Sequence, residues 1–260
     1  MNLKAKDYFL LTLTLAAVII VFQFSRAGQP SAFHNFADDR TMLGIHNCLN
    51  VVSNIPFLVI AIYGFYLLRN SWSSLAIHTI YSVLFLSVGL TAIGSSIYHW
   101  NPGNQTLIWD RGPLVIIFMT VTCAAVAAFI SERLGFALLT PLTLIGIGSV
   151  IWWACTEADG HGDLRLYFLL QYYPMVLIPM ILWLYYKPGN KPMLWCFAWV
   201  VFWYIIAKLL ERWDRPIYHV LSVSGHTLKH LAAAVSTWYF VYMYRVKYVP
   251  KSGRVSLAKR

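Results

Sequence analysis

Charge is scarce in this chain. Only 12% of its 260 residues are Asp, Glu, Lys or Arg, and just 10 of them are acidic. Soluble domains carry about 25% charged residues, so a water-soluble body of this length is excluded. Cysteine is thin as well, with Cys48, Cys123, Cys155 and Cys196 alone and no C-x-x-C pair. Each sits within or beside an apolar stretch, which argues against a disulfide framework or a cysteine metal site. Internal repeats, low-complexity tracts and linkers long enough to separate soluble domains are also missing, which leaves a single domain.

What the chain has is apolar length. Hydrophobic residues make up 59% of it, and mean hydropathy is +0.61. A membrane-crossing helix needs about 20 mostly apolar residues. Eight segments qualify, at about 8–24, 48–68, 77–99, 113–130, 136–155, 165–186, 193–209 and 226–244. Their breaks carry turn residues, such as Asn101-Pro102-Gly103 and Lys187-Pro188-Gly189-Asn190. The expected fold is therefore all-α, a polytopic bundle of about eight spans. Residues 1–30 form an N-terminal signal-anchor helix and its exit. A seven-helix domain follows over 31–245, then a basic tail over 246–260. The first apolar run, Tyr8 to Phe24, exceeds the core of a usual signal peptide and exits through a weak cleavage site, so it reads as retained.

The excess of 20 Lys and Arg over 10 Asp and Glu gives a net charge of +10. No basic helix or RNA-binding motif accompanies it, so nucleic acid is not an expected partner. Loop charge of this kind sets topology and meets anionic lipid. Its distribution, with a cluster in the tail and an acidic loop at 156–164, predicts an integral inner or plasma membrane protein with both termini cytoplasmic.

The polar residues within this apolar chain are not scattered. His99 ends the third span, and Asp110 opens the fourth across a short loop. His226 and His230 open the eighth, four residues apart on one helical face, and Ser95 lies one turn before His99. Topology alone brings all five to one depth near the outer face. Taken singly, each has a plain explanation: an interfacial histidine, an aspartate at a helix start, a serine bonding its own backbone. Three imidazoles from two helices also suit a zinc ion, which leaves a fourth position open in catalytic sites. The Glu of an H-E-x-x-H motif is missing from His226-Thr227-Leu228-Lys229-His230, so Asp110 is the available base.

This combination of Ser-x-x-x-His, an Asp eleven residues on and a late His-x-x-x-His resembles the alkaline ceramidases. They belong to a superfamily of seven-span hydrolases that includes the adiponectin receptors. The stretch Asn50 to Phe57, "NVVSNIPF", is similar to the one that opens their first span. The resemblance covers about residues 36–245. It implies a zinc amidase that cleaves the N-acyl bond of a ceramide-like membrane lipid, with zinc on His99, His226 and His230 and with Ser95 and Asp110 as catalytic groups. The animal members also bind calcium upstream of this stretch, through a Glu where this chain has Asn47. Asp38 and Asp39 are the residues left for that role, or for helix capping. Glu157 and Asp163 in the loop 156–164 are expected either to touch the site as contacts or gate, or to be a solvated acidic connector. Lys208 and Glu211, with Asp214, read as a charge network that is structural or guards the entrance. The rival class is a non-enzymatic receptor with a structural metal; its closed site would have four ligands, whereas three histidines favour catalysis.

Overall fold

The computed structural model describes residues 3–250, so most of the basic tail lies outside the described residues. Helices account for the architecture: α1 Ala5–Gln23, α2 Cys48–Val52, α3 Ile55–Arg69, α4 Leu75–Trp100, α5 Asn104–Phe129, α6 Glu132–Ala158, α7 Arg165–Tyr172, α8 Pro174–Leu184, α9 Lys191–Arg212, α10 Asp214–Leu221 and α11 Gly225–Tyr248. No strand occurs among the described residues. The all-α polytopic bundle expected from the sequence is the fold found.

Seven helical segments are long and apolar enough to cross a membrane, with α2–α3 and α7–α8 each counted as one. The eighth expected span exists as α11, with 24 residues, but falls outside that apolar set. It carries His226, Lys229, His230, Arg245 and Lys247, and it hides its small and polar residues against α9 and α3. Apolar side chains face outward on α11, at Val235, Trp238 and Tyr242, as they do at Val59 and Ile62 of α3, Leu144 and Ile151 of α6, and Leu11, Leu15 and Ile19 of α1.

Local sequence explains the helix ends. Ser74, Ser131 and Ser224 cap α4, α6 and α11, each accepting a hydrogen bond from the backbone N–H three residues on. Pro56 and Pro174 stand at the starts of α3 and α8, where a missing N–H costs nothing. The fourth expected span, placed at 113–130, begins nine residues earlier at Asn104. Its polar opening turns are helical because they pack against α4 and against Phe36, Trp153 and Tyr167.

Two glycines set the helix crossings. A Cβ at Gly94 of α4 would overlap the Trp109 carbonyl oxygen of α5, and one at Gly225 of α11 would overlap the Leu210 carbonyl oxygen of α9. Backbone meets backbone at both places, as small residues permit in membrane bundles. Both crossings lie one residue from the site: Gly94 precedes Ser95, and Gly225 precedes His226.

Helix α1 leans on α7 and α8. The hydroxyls of Thr14 and Tyr173 hydrogen-bond at 2.7 Å, Tyr185 bonds Asp7, and Lys6 Nζ lies 3.6 Å over the Tyr185 ring. The chain then crosses one end of the bundle as a strap, residues 24–47, before α2.

Candidate metal centre

The strap, the end of α4 and the start of α11 meet at that end. His99 is the penultimate residue of α4, while His226 and His230 lie on the first two turns of α11. All three are buried, and each offers a nitrogen within 4.8 Å of the others. The Nε2 atoms of His99 and His226 face each other at 3.3 Å. Two lone pairs so placed repel unless a proton or a cation lies between them, and the converging donor set suits a metal ion.

The third histidine is oriented from behind. The Ser53 hydroxyl donates to the Asn50 carbonyl at 2.9 Å, so its oxygen accepts the Nδ1–H of His230 at 2.7 Å. That arrangement leaves the His230 Nε2 lone pair aimed at its two companions. Such outer partners fix the tautomer and ring angle of a ligating histidine. Asn50 also takes hydrogen bonds on its side-chain oxygen from Thr227 at 2.7 Å and Ser224 at 3.2 Å. The "NVVSN" stretch thus ties α2 to the cap of α11 and to the third histidine.

Phe36 closes the centre from the strap. Its ring centroid is 4.7 Å from those of both His99 and His226. Asp214 holds it there: one carboxylate oxygen accepts the Ala37 N–H at 2.9 Å, and the other accepts the His226 N–H at 2.8 Å. The same aspartate therefore fixes the roof and one ligand. Beside them, a cavity of about 350 Å³ lined by Phe33, Phe36, Glu211, Trp213 and His226 opens onto the centre.

Ser95 is buried one turn before His99, and the half-buried Asp110, in the second turn of α5, lies beside it. Lys229 of α11 lies near enough to Asp110 of α5 for their charges to interact, so the two helices share one polar cluster. The structure therefore brings together Ser95, His99, Asp110, His226 and His230. It adds Lys229, whose Nζ lies 3.5 Å from His226 Nε2 and 2.5 Å from Glu211 Oε1. Glu211 also binds Lys208, so these residues form a charge network at the edge of the centre.

Other expected residues go elsewhere. Asp38, Asp39 and Asn47 do not gather as a cation cage. Both Asp38 oxygens bond Arg40 at 2.7 Å, and that guanidinium holds the Asp38 carboxyl below its usual value. Asp39 is exposed. Asn47, in left-handed conformation at φ 49°, donates its side-chain N–H to the His99 carbonyl at 2.8 Å. Its role in the structure is to pin the end of α4.

Glu157 and Asp163 fasten the strap. Glu157 accepts the Gln29 N–H at 2.9 Å and the Trp153 indole N–H at 3.1 Å. Asp163 grips Arg165 at 2.7 and 2.9 Å, and those bonds hold its carboxyl down at about 2. Nearby, the buried Arg111 donates to Gln29 and lies 4.2 Å over the Trp153 ring.

Sequence reasoning passed over Lys229, Ser53 and Phe36. The first carried a signal, since it lies three residues after His226 and next to His230, on the inward face of the same helix. Ser53 was marked only as part of the "NVVSNIPF" stretch, without a role, and Phe36 carried no signal, because its placement depends on how the strap folds back.

No protein-family model, curated protein or solved structure matches the chain. Fold and site together define an integral membrane helical bundle with a buried three-histidine centre able to hold a metal ion.

Proposed function

We propose that the protein is a zinc-dependent intramembrane amidase that cleaves the N-acyl bond of a ceramide-like lipid, with the centre near the outer face and both termini cytoplasmic. The observation that carries this reading is the set of three buried histidines with converging nitrogens beside a carboxylate. The likeness of these residues to the ceramidase pattern supports it.

His99, His226 and His230 would hold the ion. Zinc bound by three histidines supplies an open position, activates water near neutral pH and polarises a carbonyl. Asp110 accepts the proton of the attacking water and returns it to the leaving nitrogen, with Ser95 holding the carboxylate in orientation. The C–N bond breaks, a C–O bond to the water oxygen forms, and the products are a carboxylate and an amine. Phe36 and the bundle core keep bulk water from the reacting carbon, while the cavity beside His226 admits the lipid's polar end.

The test is to measure zinc content and fatty-acid release from N-acyl lipid on wild type and on the His226→Ala/His230→Ala double variant. Stoichiometric zinc and released fatty acid, both lost in the variant, are expected. Bound zinc without turnover of any amide or ester would favour a receptor with a structural metal. Zinc-free wild type would undo the centre.

A further inference from the structure

Lys229 sits on the inner face of α11 between two of the three histidines. Its Nζ lies 3.5 Å from a nitrogen of His226. Its side chain is 22% exposed, and Glu211, its partner at 2.5 Å, is 21% exposed. The other Glu211 oxygen binds Lys208, one turn earlier on α9. The ammonium is therefore not a surface charge that happens to bend inward. A carboxylate anchored on its far side aims it at the histidines.

Charge balance gives that placement a meaning. Asp110, Glu211 and Asp214 stand among Lys208, Lys229, Arg212 and Arg215, and ligating imidazoles are neutral. A divalent ion added to this set keeps its charge uncompensated, and the ammonium beside it raises the local potential further. Such a pair of cations favours an anion lodged between them. An ammonium carries three N–H donors, and Lys229 turns one to Glu211 and one towards His226, so a third can face a guest beside the centre. The neighbouring cavity is lined by His226 and Glu211, the two residues that Lys229 faces.

The geometry points to Lys229 as the residue that holds the acyl oxygen. It hydrogen-bonds the oxygen that becomes anionic as water adds to the acyl carbon, and then the carboxylate that is released. The centre therefore binds simple carboxylates as ligands in their own right. This assignment rests on the amide-hydrolase reading, in which a carboxylate is a product, and oxyanion donors of this kind act on charge that develops during reaction.

Cobalt(II) in place of zinc makes the centre visible by absorption, and octanoate serves as the probe. Wild-type protein with stoichiometric cobalt should show an octanoate-dependent spectral change. Lys229→Met should keep the cobalt band while its octanoate dissociation constant rises about tenfold or more, a change of about 1.4 kcal/mol. Lys229→Arg, which keeps a cation, should recover most of the affinity. Equal octanoate affinity in wild type and Lys229→Met would overturn the assignment while leaving the metal centre standing. If Lys229→Met loses the cobalt band, Lys229→Gln makes the same comparison. A wild-type protein that takes up no cobalt would take down both the centre and this role for Lys229.

Discussion

At the scale of single residues, the centre depends on side chains that never touch a ligand. Ser53 illustrates this best, since its hydroxyl bridges the Asn50 carbonyl and His230 Nδ1. Ser53→Ala removes the acceptor that fixes the tautomer and leaves a buried N–H unpaired. Outer partners of this kind are worth 10–100-fold in metal affinity, and we expect a loss of about that size. Competition with a calibrated zinc chelator would measure it, and unchanged affinity would remove Ser53 from the site. The same scale shows what a sequence can and cannot disclose. His99, His226, His230, Ser95 and Asp110 were legible because order along alternating spans dictates which membrane face each occupies. Ser53 was legible as part of the "NVVSNIPF" stretch but not as the partner of His230, and Phe36 was not legible at all, because these roles arise from a short helix break and a strap whose paths no periodicity encodes. Glu157 and Asp163 were legible as an acidic loop, but their partners, Gln29 and Arg165, were not.

Helices and their crossings come next. Gly94 and Gly225 let backbone approach backbone one residue before Ser95 and His226. Gly225→Ala would force α9 from α11, pulling Glu211 from Lys229 and shifting two ligands at once. Overpacking of this kind costs about 1–3 kcal/mol. We expect a lower Tm in detergent together with weaker metal binding, and the same from Gly94→Ala. Gly148 of α6 has no heavy atom near the place its Cβ would occupy, so Gly148→Ala should be neutral or mildly stabilising. Thermal unfolding of the three variants checks this, and equal Tm values would remove the crossings as a determinant. Element existence was legible from apolar length alone. Two limits were not: α5 starts at Asn104 rather than near 113, and α11 is less apolar than a lipid-facing span. In both cases protein, not lipid, covers the polar turns, and a hydropathy window cannot see what will cover them.

For the whole molecule, the strap links α1 to the roof of the centre through ties to the loop before α7. Leu164 donates to the Ala27 carbonyl at 2.9 Å, and Arg165 grips Asp163 while also donating to the Phe24 carbonyl at 3.0 Å. The Asp163 carboxyl lies at about 2 in the folded protein, below the ordinary value near 3.9 of an unfolded chain. Its contribution is therefore present in full above about pH 4 and is lost as pH falls toward 2. Wild-type Tm should fall across that window. Asp163→Asn should start lower at neutral pH and fall less between pH 4 and 2. Parallel curves for the two proteins would show that this ion pair does not hold the strap.

The histidine centre is assembled from both ends of the chain, with a roof at Phe36, an outer partner at Ser53 and two ligands at 226 and 230. During synthesis, Asn50 and Ser53 emerge from the ribosome 177 residues before Thr227 and His230, the α11 groups they bond. Until that helix is inserted, these polar side chains have no native partners on it, and the first histidine stands alone. A metal ion held by all three histidines would thus be captured late in the protein's biogenesis. It could follow only once α11 has entered the bilayer, so loading with an ion would report that α11 is in place.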